Sequence, residues 1–203
     1  VSLQDENSGG LGAPGRVLRS IRAAKGWTLA EVKDLTGLSI STLSKLETGK
    51  IALTYDKLMK LGRALNVDMA QLLGESYKPI GETPRLLSGR RVVTRKGEER
   101  IVSTESYDYT FYAADLLNRS LHPMMLDIKV RSIEEIEEFT RHAGEEFTYV
   151  IEGAVEFHTE LYAPTRLNAG DSVYFDAGMG HAYVAAAPGT CRVLSVCTSL
   201  LET

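Results

Sequence analysis

The feature that most constrains this chain is a change of hydrophobic period near residue 75. Before it, apolar residues recur three and four apart: Leu18 and Ile21; Leu29, Val32 and Leu35; Leu43 and Leu46; Leu58, Leu61, Ala64 and Leu65; Leu72 and Leu73. That spacing is the buried stripe of short amphipathic helices. Beyond Tyr77 the pattern becomes alternating or β-branched, in runs at 91–94, 105–113, 124–130, 146–151, 154–161, 171–175, 181–186 and 192–200. A period of two belongs to strands with one buried face. The chain is therefore expected to divide into a tail at 1–13, an all-α unit at 14–75, a Pro- and Gly-bearing linker at 76–88 and an all-β unit at 89–203.

Local signals set the helix limits. Thr28 followed by Glu31 is a capping box, Ser39 and Thr54 stand at further helix starts, and Asp68 with Gln71 forms a second box-like start. Gly26, Gly37, Gly49 and Gly74 supply left-handed stops. Five short helices are predicted, at about 16–25, 28–35, 39–47, 54–64 and 68–73.

Charge follows the same division. Residues 1–74 hold ten Lys and Arg against seven acids, net +3, and the remainder holds thirteen against twenty, net −7. An acidic total thus conceals a basic unit able to meet phosphates. No apolar run approaches the ~18 residues of a membrane span, and 1–15 lacks the basic-then-apolar order of a secretory signal. Cys191 and Cys197, six apart on one apolar run, point the same way and are too far apart to bond. Reduced, buried thiols in a cytoplasmic protein without membrane contact are expected.

The segment 28–50 carries the argument for nucleic acid. Two helices of about two turns meet at a corner containing Gly37, and the second turns Leu43 and Leu46 inward. Its other face offers Ile40, Ser41, Ser44 and Lys45, which are short enough for close approach to a major groove and able to read base edges. The helix starts at Thr28 and Ser39 offer N–H groups to phosphates, and Lys50 offers a cation, as do Lys25 and Lys33. Over residues 16–74 the sequence resembles the lambda-repressor-like, xenobiotic-response-element family of helix-turn-helix proteins. The resemblance rests on the capped first helix, the Gly37-Leu38-Ser39 turn and the ending Leu46-Glu47-Thr48-Gly49. It implies a five-helix domain that binds duplex DNA.

In the β unit, His142 and Glu146 are four apart and so face one side of an extended segment. His181 follows a glycine turn in the next hairpin and can join them inside a small barrel. Two imidazoles and a carboxylate form the facial set of non-haem metal sites. The spacing from His142 through Glu146 to Gly153, and from Gly170 through Gly178 to His181, resembles the two motifs of the cupin superfamily. Thr140 stands where the first motif carries another histidine, and Asp176 where the second carries proline. The resemblance implies a double-stranded β-helix, or jelly-roll barrel, with a central pocket in which the three side chains hold a divalent Zn, Fe, Mn or Ni ion or, without metal, bind an effector or one another. Alternation sends Tyr107, Tyr109 and Phe111 to one side; Tyr107 and Tyr109, with Thr140 and Tyr149, are the expected lining of an effector pocket. His122 and His158 are read as surface or packing residues, and Glu134, Glu135, Glu137 and Glu138 as a solvated acidic face.

Together these readings predict a transcriptional regulator rather than an enzyme. Its cupin unit would dimerise the chain and bind a small molecule, a metal or both, and the pair would read a palindromic operator. The competing reading is an Fe(II)-dependent oxidase. The layout is similar to the hydroxypropylphosphonate epoxidases, which also join a helical domain to a cupin, and Asp108 to Tyr112 resembles their substrate-side strand. The lysine those enzymes draw from the helical domain aligns at Gly26, beside Lys25.

Overall fold

The computed structural model describes residues 13–73, 89–117 and 119–198. The expected tail, apart from Ala13, and the expected linker lie outside the described residues.

Four helices of eight or more residues build the N-terminal unit: α1 (Ala13–Ala24), α2 (Leu29–Thr36), α3 (Ile40–Glu47) and α4 (Tyr55–Leu65). The fifth expected helix is only a single turn, α5 (Met69–Leu72). The apolar stripe packs as its spacing requires, with Leu18, Ile21, Val32, Leu43, Leu46, Leu58, Leu61, Leu65 and Leu72 buried. Leu35 is the exception: at the end of α2 the stripe turns outward and leaves it 55% exposed.

The caps act through side chains. Thr28 accepts from the Glu31 N–H at 3.2 Å, while the Glu31 carboxylate accepts from the Thr28 N–H at 2.7 Å. Ser39 accepts from the Thr42 N–H at 3.0 Å. Thr54 occupies the N-cap of α4, but its hydroxyl turns to the Asp56 carboxylate instead of a backbone N–H. Helix α4 stops at Asn66 in the left-handed conformation, a stop the glycine count did not mark. Arg22 of α1 grips Glu47 at the end of α3 with two bonds, 2.5 and 2.9 Å, and also donates to the Trp27 carbonyl.

Among the described residues nine strands follow: β1 (Arg100–Ser103), β2 (Tyr107–Phe111), β3 (Leu121–Ile128), β4 (Glu145–Glu152), β5 (Ala154–Thr159), β6 (Thr165–Asn168), β7 (Ser172–Asp176), β8 (His181–Ala185) and β9 (Arg192–Thr198). They form a six-stranded sheet, β1-β2-β3-β9-β4-β7, and a three-stranded sheet, β6-β5-β8. All pairings are antiparallel. The sheets face one another through Phe157 on β5, which lies 4.8 Å from the Phe175 ring of β7, and through Tyr183 of β8, whose hydroxyl reaches Glu146 of β4. The run at 91–94 forms no strand, whereas β1 and β6 were not anticipated.

Both cysteines are buried and free. His122 and His158 are buried among packing residues. The acids from Glu134 to Glu138 are exposed. Among the described residues no helix is long and apolar enough to cross a membrane.

Candidate functional site

One cluster of candidate residues lies on α3. Gly37 takes φ 72°, which lets the chain turn from α2 into α3 without the strain a Cβ would bring. With Leu43 and Leu46 turned inward, Ile40, Ser41, Ser44 and Lys45 form one solvent-exposed side of α3, and Lys50 lies exposed just beyond it. Thr28 and Ser39 lie at the N-termini of α2 and α3, with their hydroxyls committed to the caps. Lys25 folds back over the Trp27 ring, its ammonium 5.3 Å from the centroid.

The second cluster lies between the sheets. His142 precedes β4, Glu146 is on β4 and His181 opens β8; all three are buried. Gly144, at φ +96°, bends the chain between His142 and Glu146. A Cβ there would lie 2.5 Å from the Thr198 carbonyl oxygen, so the approach to β9 is closed to other residues. Thr140 and His181 exchange both backbone hydrogen bonds, at 2.9 and 3.0 Å, and so bring the His142 segment onto β8.

The triad's ligand atoms lie within 4.8 Å of one another. Glu146 Oε2 lies 3.0 Å from His142 Nε2 and 3.5 Å from His181 Nε2. A carbonyl can only accept, so in the 2.9 Å contact with the Met179 oxygen His181 Nδ1 is the donor, and the ring turns Nε2 toward Glu146. His142 Nδ1 makes a longer contact, 3.4 Å, with the Ala143 oxygen. The other carboxylate oxygen, Glu146 Oε1, accepts from Thr148, Tyr183 and Ser195 hydroxyls, each at 2.9 Å. Burial alone would raise the Glu146 pKa, but hydrogen bonds and charge from His142 and His181 outweigh it and hold the group well below the usual range. Two buried imidazoles and a carboxylate converging on one point, with Glu146 and His181 held by outer partners, fit a divalent cation.

Around the triad is a cavity of only about 20 Å³, room for roughly one water. Tyr107, Tyr109 and Thr140 line it, as do Tyr183, Ser195 and Cys197. Tyr149 does not. It alternates with Glu146 and Thr148 along β4, points out of the opposite face and is 38% exposed. Burial pushes the Tyr107 hydroxyl up to about 12 and raises Tyr183 and Cys197 well above their ordinary values, so these groups stay protonated.

One lining residue belongs to the helical unit. Tyr55, the first residue of α4, is 2% exposed and sets its ring edge-on against His142, centroids 4.7 Å apart. It shares a spacing of three with Leu58 and Leu61, so in sequence it reads as another member of the helical core. Its hydroxyl faces the Cys197 thiol but makes no hydrogen bond of ordinary length.

Residues 18–72 match the helix-turn-helix family and residues 131–197 the cupin domain family. The chain is 25% identical over 186 residues to the HTH-type transcriptional regulator PuuR of Escherichia coli K12, covering 92% of this chain and 95% of that protein. Its fold is similar to that of an HTH_3 family transcriptional regulator from Vibrio cholerae, with TM-score 0.59 at 18% identity over 94% of this chain and 97% of that one. Hydroxypropylphosphonic acid epoxidase from S. wedmorenis aligns at TM-score 0.48 and 21% identity over 92% and 97% of the two chains, which is too distant to argue for shared chemistry.

Proposed function

We propose that this chain, which joins a helix-turn-helix domain at 18–72 to a cupin domain at 131–197, is a transcriptional regulator controlled through its cupin site. The observation that carries this reading is the open side of α3, where Ile40, Ser41, Ser44 and Lys45 stand clear of both units. Serine and lysine there suit hydrogen bonding to base edges, Ile40 suits a thymine methyl, and the N–H groups behind Thr28 and Ser39, with Lys50, suit phosphates. PuuR, similar over nearly its whole length, is described as a regulator of the same type.

In this proposal the facing sheets are the two halves of a double-stranded β-helix. His142, Glu146 and His181 hold a divalent ion of the Zn, Fe, Mn or Ni group, whose chemistry is Lewis-acid coordination of an incoming donor. Tyr107, Tyr109 and Thr140 line the place where an effector meets it. The regulator acts as a homodimer, because one helix-turn-helix reads only a half-site. Support comes from the outer face of the larger sheet. Phe147, Tyr149 and Ile151 of β4 lie there, with Val196 paired to Phe147, Leu194 to Tyr149, and Tyr174 to Phe147 across β7.

Selection from a random duplex pool tests the reading. A palindromic site should emerge, and changing both Ser41 and Lys45 to alanine should weaken it at least about tenfold while the β unit stays folded. No enrichment, together with Fe(II)-dependent consumption of oxygen or peroxide, would replace the regulator by the oxidase. Elemental analysis of wild type and His181→Ala tests the ion; equal metal in both removes the triad.

A further inference from the structure

The helical unit contributes a side chain to the interior of the cupin unit, and the space left around that side chain is nearly nil. The cavity at the triad, about 20 Å³, holds roughly a water and nothing larger. Among the described residues lining it, Tyr55 alone comes from the helical unit. Its ring packs on His142 at 4.7 Å and an interplanar angle of 84°, and lies 6.1 Å from His122. We propose that Tyr55 is a displaceable plug: a ligand entering the cupin site has to expel this ring, and the expulsion moves the DNA-reading unit. The proposal rests on the regulator reading given above and names how its site is regulated.

The ring cannot leave without disturbing its helix. Tyr55 begins α4, and Leu58, Leu61 and Leu65 behind it are fully buried in the helical core, so the start of α4 is held by that core. Helix α4 packs on α2, and α2 packs on α3. Densely packed interiors transmit such shifts rather than absorb them. A route in also exists. A cleft of about 300 Å³ opens between Asp56, Met59, Lys60 and Arg63 of α4 and Arg141 to Ala143 with Gly178 of the β unit. It shares His142 with the inner cavity, so passage from one to the other breaks the Tyr55–His142 contact. The buried Tyr55 hydroxyl makes no hydrogen bond of ordinary length, so seating forfeits its hydration without full return, and the ring is poised to go. With Tyr55 seated, the reading side of α3 is open. The seated form is thus the operator-binding one, and by linkage operator DNA holds the plug in.

Cys197 reports the position of the plug without any known effector, because its thiol lines the same cavity and is 1% exposed. The full chain is treated with methyl methanethiosulfonate in the presence of a chelator, and modification of Cys197 is followed by peptide mass spectrometry. Cys191, buried away from the cavity, serves as an internal control for unfolding. Tyr55→Ala should label Cys197 at least about tenfold faster with Cys191 unchanged, and Tyr55→Phe, which keeps the ring and sheds the unsatisfied hydroxyl, should label no faster than wild type. The selected operator should slow Cys197 labelling in wild type by at least about fivefold and leave Tyr55→Ala unaffected. A wild-type rate in a folded Tyr55→Ala overturns the plug, as does an operator that leaves the wild-type rate unchanged or raises it. The operator arm needs no variant, so it decides the matter if Tyr55→Ala exposes Cys191 as well. Failure to select any operator strikes the regulator reading instead, and the Tyr55→Ala arm still judges the plug.

Discussion

At the scale of single residues, the His142–Glu146–His181 cluster depends on a glycine as much as on its own side chains. Gly144 combines a left-handed backbone with a close approach to the Thr198 carbonyl. Gly144→Ala should cost roughly 2–4 kcal/mol in chemical denaturation and lower metal content, because relief of the clash moves His142 away from Glu146. Nearby, Arg141 pairs with Glu160, which also accepts from the Gly180 N–H at 3.0 Å, just before His181. The Arg141 bond, helped by that N–H, lowers the Glu160 carboxyl from 4.5 to about 2. A depressed carboxyl stabilises the fold above its unfolded value, and the benefit disappears as pH falls through the folded one. Wild type should therefore lose stability more steeply than Glu160→Gln between the ordinary carboxylate range and about pH 2. The pair is solvent-exposed, so high salt should shrink the difference; identical pH profiles would show that the pair is idle.

At the scale of elements, α3 is aimed by a clamp that short-range sequence signals did not reveal. Arg22 and Glu47 are 25 positions apart, and their side chains are 17% and 7% exposed. Arg22→Ala leaves the Glu47 carboxylate buried without its partner. It should cost about 2 kcal/mol in thermal or chemical unfolding and loosen α3, seen as faster amide exchange in residues 40–47. A variant as stable as wild type would show that the core alone aims the helix. The contrast explains what was readable. Caps at Thr28 and Ser39 were legible because each partner lies three residues away, and the facing of Tyr107 and Glu146 because alternation fixes it. The same alternation turns Tyr149 to the outer face of β4, away from the pocket. Strands β1 and β6 are only four residues long, too short to mark a period, and the 91–94 run has the composition of a strand but joins no sheet among the described residues. Tyr55 was hidden because its spacing fits the helical core, and contact between units leaves no local trace.

At the scale of the whole molecule, the outer face of the six-stranded sheet is where the proposed dimer would pair. Phe147→Glu with Tyr149→Glu should convert a dimer to monomers in sedimentation, without unfolding, since both side chains already meet solvent. Affinity for a palindrome should then collapse toward that for a half-site; a variant that still sediments as a dimer places the interface elsewhere. The same strand serves both surfaces. Along β4, Glu146 and Thr148 look toward the cavity while Phe147 and Tyr149 look outward, each one residue from the next. In a pair joined on that face, no ligand could tug on one protomer's carboxylate without flexing the backbone pressed against its neighbour. The two sensors would then answer in concert, and the response to rising effector would be sigmoidal instead of graded.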